Sequence, residues 1–203
     1  MESIFAQEKQ FDPKLADISA KMDAVEGYTQ PHGTRVAMVA DELGLAFNLA
    51  VHDRLTMEQA ALVHDLGEVL MDRSYLKENR ILTAEEYLDM QRHPVIGEQE
   101  AAKQGLSRGV QLLIRWHHEW WNGNGYPDGL GGEQIPLAAR ILRVADTFSA
   151  LTGERPFRKP ITAEDARRYM IEWAGIEFDP RVVKAILSME KLFEVERAAG
   201  GQG

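Results

Sequence analysis

The stretch IPLAARILRVADTFSALT, residues 135 to 152, reads as one long apolar helix and sets the class of the whole chain. Ile135, Ala139 and Leu142 recur at helical spacing, and Ala150 follows Asp146 one turn on. Asp146 therefore stands on the apolar stripe itself. A carboxylate in that place must be paired or bound to a cation, because an uncompensated buried charge costs several kcal/mol or more. Arg140 and Arg143 are the local candidates for a partner. A metal ion is the sharper one.

Working outward, the same helical periodicity continues and strand alternation is nearly absent. Pro31 occupies a first-turn position, with His32, Val36, Val39 and Leu43 on one helical face. Thr56 with Gln59, and Thr83 with Glu86, have the spacing of capping boxes. Ser107, Thr162 and Asp179-Pro180 mark three further helix starts. The helix starting near Thr56 is expected to run through AALVHDLGEVL and to carry His64 and Asp65. His93-Pro94 is expected to close the helix after Thr83. The one long irregular stretch, WNGNGYPDGLGGEQIP at 121–136, is long enough to be functional or disordered. The expected architecture is all-α: a helical N-terminal extension at 1–27, a helical bundle at 28–197 and a frayed tail at 198–203.

Composition narrows the function. The 203 residues suit one well-cored domain, and 44% hydrophobic with 27% charged residues is ordinary for a globular protein. There is no cysteine, so a transition metal must rest on imidazole and carboxylate, which suit iron, manganese, zinc or cobalt. A net charge of -9 disfavours polymeric nucleic acid. No apolar run reaches the ~20 residues of a membrane span, and the N-terminus reads as no leader. A cytoplasmic enzyme is expected.

Five of the six histidines stand where a two-metal site would need them: His32, His64, His93, His117 and His118. Each has a bland reading alone, as a core residue, a helix-end imidazole or a polar edge. His52-Asp53 is a second HD dipeptide and reads as surface or capping. Several inward His and Asp on separate helices are harder to explain without a cation.

The blocks HDLG, LTAEEYLDMQRHPVIG and WHHEWWNGNGYPDGLGGEQIPLAARILRVADTFSALTGERPFR strongly resemble the HD-GYP phosphodiesterases, a branch of the HD-domain metal-dependent phosphohydrolases. Gly125-Tyr126-Pro127 is the GYP element. The resemblance implies a helical-bundle fold and, as substrate, the bacterial second messenger cyclic di-GMP. It implies one metal held by His32, His64, Asp65 and Asp146. A second would be held by His93, His117 and His118 with Asp65 as the bridge. His64 and Asp65 would be the catalytic core, and iron or manganese the pair. Water activated between the metals would cut one phosphodiester to give linear pGpG, with further cleavage to GMP left open. Arg155 and Arg158 would face the substrate phosphates, and Tyr126 would offer its ring to a base or to a partner protein.

Three departures from the family pattern matter. Glu68 stands where the family has Lys, and Ser149 where it has Asp. Tyr28 stands where members with a third metal carry Glu, so two metals are expected. Glu68 and Ser149 leave two further readings open: a weakly catalytic cyclic-dinucleotide receptor or interaction module, and a phosphohydrolase of another small nucleotide. Oligomeric state is open.

Overall fold

The computed structural model describes residues 10–71, 75, 80–154, 159–190 and 192. Arg155 and Arg158 lie outside the described residues. The described residues are helical, with no strand beyond isolated bridges. In chain order the helices are α1 (Pro13–Glu26), α2 (His32–Ala46), α3 (Val51–Leu62), α4 (Ala84–Met90), α5 (His93–Lys103), α6 (Arg108–Trp116), α7 (Leu137–Thr152), α8 (Ala163–Glu172) and α9 (Pro180–Ser188). No described helix is long and apolar enough to cross a membrane.

Helices α2, α3 and α7 form the centre. Val36, Val39 and Leu43 of α2, Met57 and Ala60 of α3, and Ile141, Leu142 and Phe148 of α7 are fully buried. α1 packs onto the same core through Leu15 and Met22. Gly27, with φ 79°, ends α1 in the left-handed region, which glycine adopts without penalty. Asp23, near the end of α1, then accepts the N–H of Gly33 at 3.3 Å in the first turn of α2. It supplies a cap that Pro31, with no side-chain donor or acceptor, does not.

The caps read at Thr83, Ser107, Thr162 and Asp179 form. Three local expectations change. Thr56 does not open a helix: α3 begins at Val51, and the Thr56 hydroxyl donates back to the His52 carbonyl at 3.0 Å. His64 and Asp65 are not helical, since α3 stops at Leu62 and residues 63–67 form a turn. His93 opens α5 rather than closing α4. Pro94 falls in the first turn of α5, where its missing N–H has no partner to lose.

These last two corrections share a cause. Gly67 packs against the first turn of α5 so closely that a Cβ would lie 2.0 Å from the His93 carbonyl oxygen and 2.7 Å from the Gly97 nitrogen. The HDLG turn and the start of α5 are thus locked together, backbone on backbone. We expect Gly67→Ala to destabilise the fold by about 2 kcal/mol or more, because the clash is with main chain that cannot step aside. Thermal unfolding checks this, with a fall of about 4 °C or more expected at this chain length. An unchanged midpoint would contradict the close approach.

Candidate metal centre

Each part of the centre arrives from a different element. His32 begins α2, His64 and Asp65 sit in the turn after α3, and His93 begins α5. His117 and His118 follow α6, and Asp146 lies within α7. The fold gathers them into two groups: His32, His64 and Asp146, and Asp65, His93, His117 and His118. Within each group the candidate donor atoms all lie within 4.8 Å of one another. All but His118 are buried.

The two groups meet at Asp65. Its Oδ2 lies 2.9 Å from His64 Nε2, and its Oδ1 lies 3.3 Å from His93 Nε2 and 3.4 Å from His117 Nε2. Asp146 Oδ1 in turn lies 3.3 Å from His32 Nε2 and 3.6 Å from His64 Nε2. The rings are held from behind. Nδ1 of His64, His93 and His117 donates to the carbonyl three residues earlier, Ala61, Met90 and Ile114, at 2.8, 2.8 and 2.6 Å. A carbonyl can only accept, so in each neutral ring Nε2 carries the lone pair.

Those lone pairs face carboxylate oxygens and one another; His93 Nε2 and His117 Nε2 are 3.3 Å apart. His64 Nε2 is buried without a hydrogen bond, although Asp65 Oδ2 is only 2.9 Å away, since a lone pair and a carboxylate oxygen are both acceptors. Acceptors crowded together in this way need a cation among them. Protons are one answer. Burial disfavours charge on His64, yet Asp65 and Asp146 outweigh it and hold its pKa well above the ordinary value. Burial likewise opposes ionised Asp65 and Asp146, but the surrounding imidazoles hold both well below the carboxylate range. His117 and His118 are pushed down, first by burial, which favours the neutral imidazole that metal binding would require. Divalent metal is another, and the nitrogen and oxygen donor set of each group fits it.

The surroundings fix the donors further. Tyr28, the residue at the third-metal position, stacks flat on His32 with ring centroids 4.2 Å apart. Glu68 Oε1 lies 3.8 Å from His93 Nδ1. Ser149 is fully buried on α7, its hydroxyl without a hydrogen bond. His52 and Asp53 are exposed on the first turn of α3 and belong to neither group.

The 121–136 loop borders the centre. Tyr126 stacks on His118 at 4.8 Å and meets His93 edge-on at 6.2 Å. Glu119, buried, accepts the N–H groups of Asp128 at 2.7 Å and Leu130 at 2.9 Å and so ties the loop down. A Cβ on Gly125 would lie 2.2 Å from the Trp120 nitrogen, so only glycine lets the loop fold back there. Arg143, on α7, reaches His118, Asp146 and Glu177 at once. The sequence offered Arg143 only as a partner of Asp146; Glu119 and Glu177 gave no local signal, since their partners are distant or main-chain.

The model of the HD domain family matches residues 18–182. The cyclic di-GMP phosphodiesterase response regulator RpfG of Xanthomonas campestris is 37% identical over 176 residues, 85% of this chain and 46% of its own length. A 3'3'-cGAMP-specific phosphodiesterase 2 of Vibrio cholerae is 31% identical over 185 residues, 90% of this chain and 35% of its own. A cyclic di-GMP phosphodiesterase of Thermotoga maritima is 34% identical over 168 residues, 81% of this chain and 44% of its own. The chain thus spans less than half the length of these relatives. Among solved structures, the cyclic GMP-AMP phosphodiesterase V-cGAP3 of V. cholerae superposes with a TM-score of 0.66 at 19% identity, covering 91% of this chain and 52% of that one. At that identity the likeness is one of fold.

The charge balance of the centre predicts a pH response in metal-stripped protein. His64 has a folded pKa above its ordinary 6.5, so its contribution is complete below that value and is lost as pH rises through the folded pKa. Asp65 and Asp146 run the other way: their contribution is present above the ordinary 3.8 and lost only as pH falls through their depressed values. His117 and His118, held below the ordinary 6.5, act in the opposite sense only while pH passes that value. The thermal midpoint of the stripped chain should therefore fall as pH is raised from about 7.5 to about 9, and His64→Gln should flatten that fall. A midpoint that climbs over this range would contradict the assignment.

Proposed function

The chain belongs to the HD domain family, in the HD-GYP branch that its motifs resemble, and from that premise we propose that it is a metal-dependent phosphodiesterase hydrolysing cyclic di-GMP to linear pGpG. One observation carries the reading: the Asp65 carboxylate is shared by two adjacent donor groups, one oxygen beside His64 and the other beside His93 and His117. His32, His64 and Asp146 would hold one ion and His93, His117 and His118 the other, with Asp65 between them. Iron or manganese suits these donors. When bound, such a pair supplies Lewis acidity to the phosphate and acidifies a water, the two needs of phosphodiester hydrolysis.

The chain's own residues supply preorganisation. Backbone carbonyls fix the His64, His93 and His117 rings before any substrate arrives, so little reorganisation is left for the reaction. Tyr126 lies at the rim with its ring against His118, placed to meet a base as the phosphate enters. Arg155 and Arg158 remain the proposed phosphate contacts. Glu68 places a carboxylate 3.8 Å from His93 Nδ1 rather than offering a positive charge, which predicts weaker phosphate binding at the rim. The glycine-rich loop around Tyr126 is also the proposed contact for a protein partner.

The relatives named for 3'3'-cGAMP favour a second reading in which another cyclic dinucleotide is the substrate. A hydrolysis panel of cyclic di-GMP, 3'3'-cGAMP and cyclic di-AMP with Mn(II) or Fe(II) decides among them. Cyclic di-GMP should be cleaved to pGpG. His118→Ala should lower the rate at least about a hundredfold while keeping helix content, and His52→Ala should leave it unchanged. Full turnover in His118→Ala would remove that residue from the site. Metal-loaded protein that binds but cleaves none of the three would favour a receptor instead.

A further inference from the structure

The histidines of the centre do not all present themselves alike. In His64, His93 and His117 the Nδ1 atom donates to a backbone carbonyl, which leaves Nε2 free to face the carboxylates. His118 differs. Its Nδ1 lies 2.9 Å from Arg143 Nη1. A guanidinium can only donate, so Nδ1 here holds the lone pair, and the neutral ring must carry its proton on Nε2.

That arrangement obstructs coordination from either nitrogen. A lone pair that accepts an N–H from Arg143 cannot also bind a cation. If Nε2 is to bind instead, the proton must move to Nδ1, where it would confront the Arg143 N–H across 2.9 Å. Both routes require the Arg143–His118 contact to break. Arg143 is not free to swing away. Its Nη2 donates to Glu177 Oε1 at 2.5 Å and its Nη1 to Asp146 Oδ2 at 3.3 Å. Glu177 is itself buried, and its backbone carbonyl accepts from Trp121 at 3.0 Å. A guanidinium stays charged at any ordinary pH, so it also places a permanent positive charge beside the donors.

We propose that Arg143 is a positioning residue that latches His118 out of the donor set, so that the ion position completed by His118 fills second and more weakly. The inference deepens, and rests on, the two-ion reading of the centre. It makes the six other donors ready and the seventh conditional, and it places the condition on α7, one turn from Asp146.

Two measurements on the full chain test it. In metal-stripped protein with nitrogen-labelled histidine, long-range proton–nitrogen correlation should show His117 protonated on Nδ1 and His118 protonated on Nε2. A His118 proton on Nδ1 overturns the latch, whatever the metal content. In anaerobic calorimetric titration with Mn(II), the unaltered chain should show two steps separated by at least about tenfold in affinity. Arg143→Met should tighten the weaker step by about tenfold and leave the stronger one in place, with circular dichroism reporting an intact fold. A weaker step that is unmoved or weakened in the folded variant overturns the latch. Absence of any Mn(II) binding in both proteins would instead overturn the two-ion reading itself, an outcome distinct from the others.

Discussion

Everything in this structure turns on a crowd of acceptors that cannot coexist without cations. Asp65 and Asp146 are buried, and imidazole nitrogens with outward lone pairs stand 2.9–3.6 Å from their oxygens. Left uncompensated, such a cluster would cost far more than one helix contact could return. The fold nevertheless devotes the ends of three helices, the turn after a fourth and the middle of α7 to assembling it. Function is the economical explanation for so expensive an arrangement, and the donor chemistry points to divalent metal.

The scaffold shows how the cost is met. Each donor is anchored by something other than the centre: His64, His93 and His117 by carbonyls of their own preceding turn, and the HDLG turn by the Gly67 contact with α5. α1 contributes the Asp23 cap that holds the start of α2, and with it His32. Glu119 ties the loop that carries Tyr126, and the Arg143–Glu177 pair joins α7 to the segment before α9. The apolar core of α2, α3 and α7 supplies the burial that stabilises the whole, while these polar ties fix where each donor points.

Much of this was legible in the sequence, because it is written in local rules. The apolar stripe of α7 revealed Asp146 as an inward carboxylate, and Ser107, Thr162 and Asp179 announced helix starts by caps that need only their own next turn. The inward face of α2 likewise pointed to His32. What misled was tertiary. The apolar period ran on past Leu62, but the chain turns there so that Gly67 can meet the backbone of α5. Pro94 fits either a helix end or a helix start, and only packing chooses the start. Thr56 has the spacing of a cap, yet its hydroxyl is already taken by the turn before it. The Arg143–His118 contact joins residues 25 apart in sequence and lay beyond any periodicity.

The central claim is that one buried carboxylate, Asp65, serves two ion positions at once. Metal content per chain after anaerobic purification, set beside the same measurement on Asp65→Asn, tests it most directly. The account predicts two transition-metal ions per unaltered chain and loss of both in the folded variant, because neither position keeps its shared oxygen donor. A chain that holds no metal and cannot be reconstituted, or an Asp65→Asn variant that still retains two ions, would contradict it.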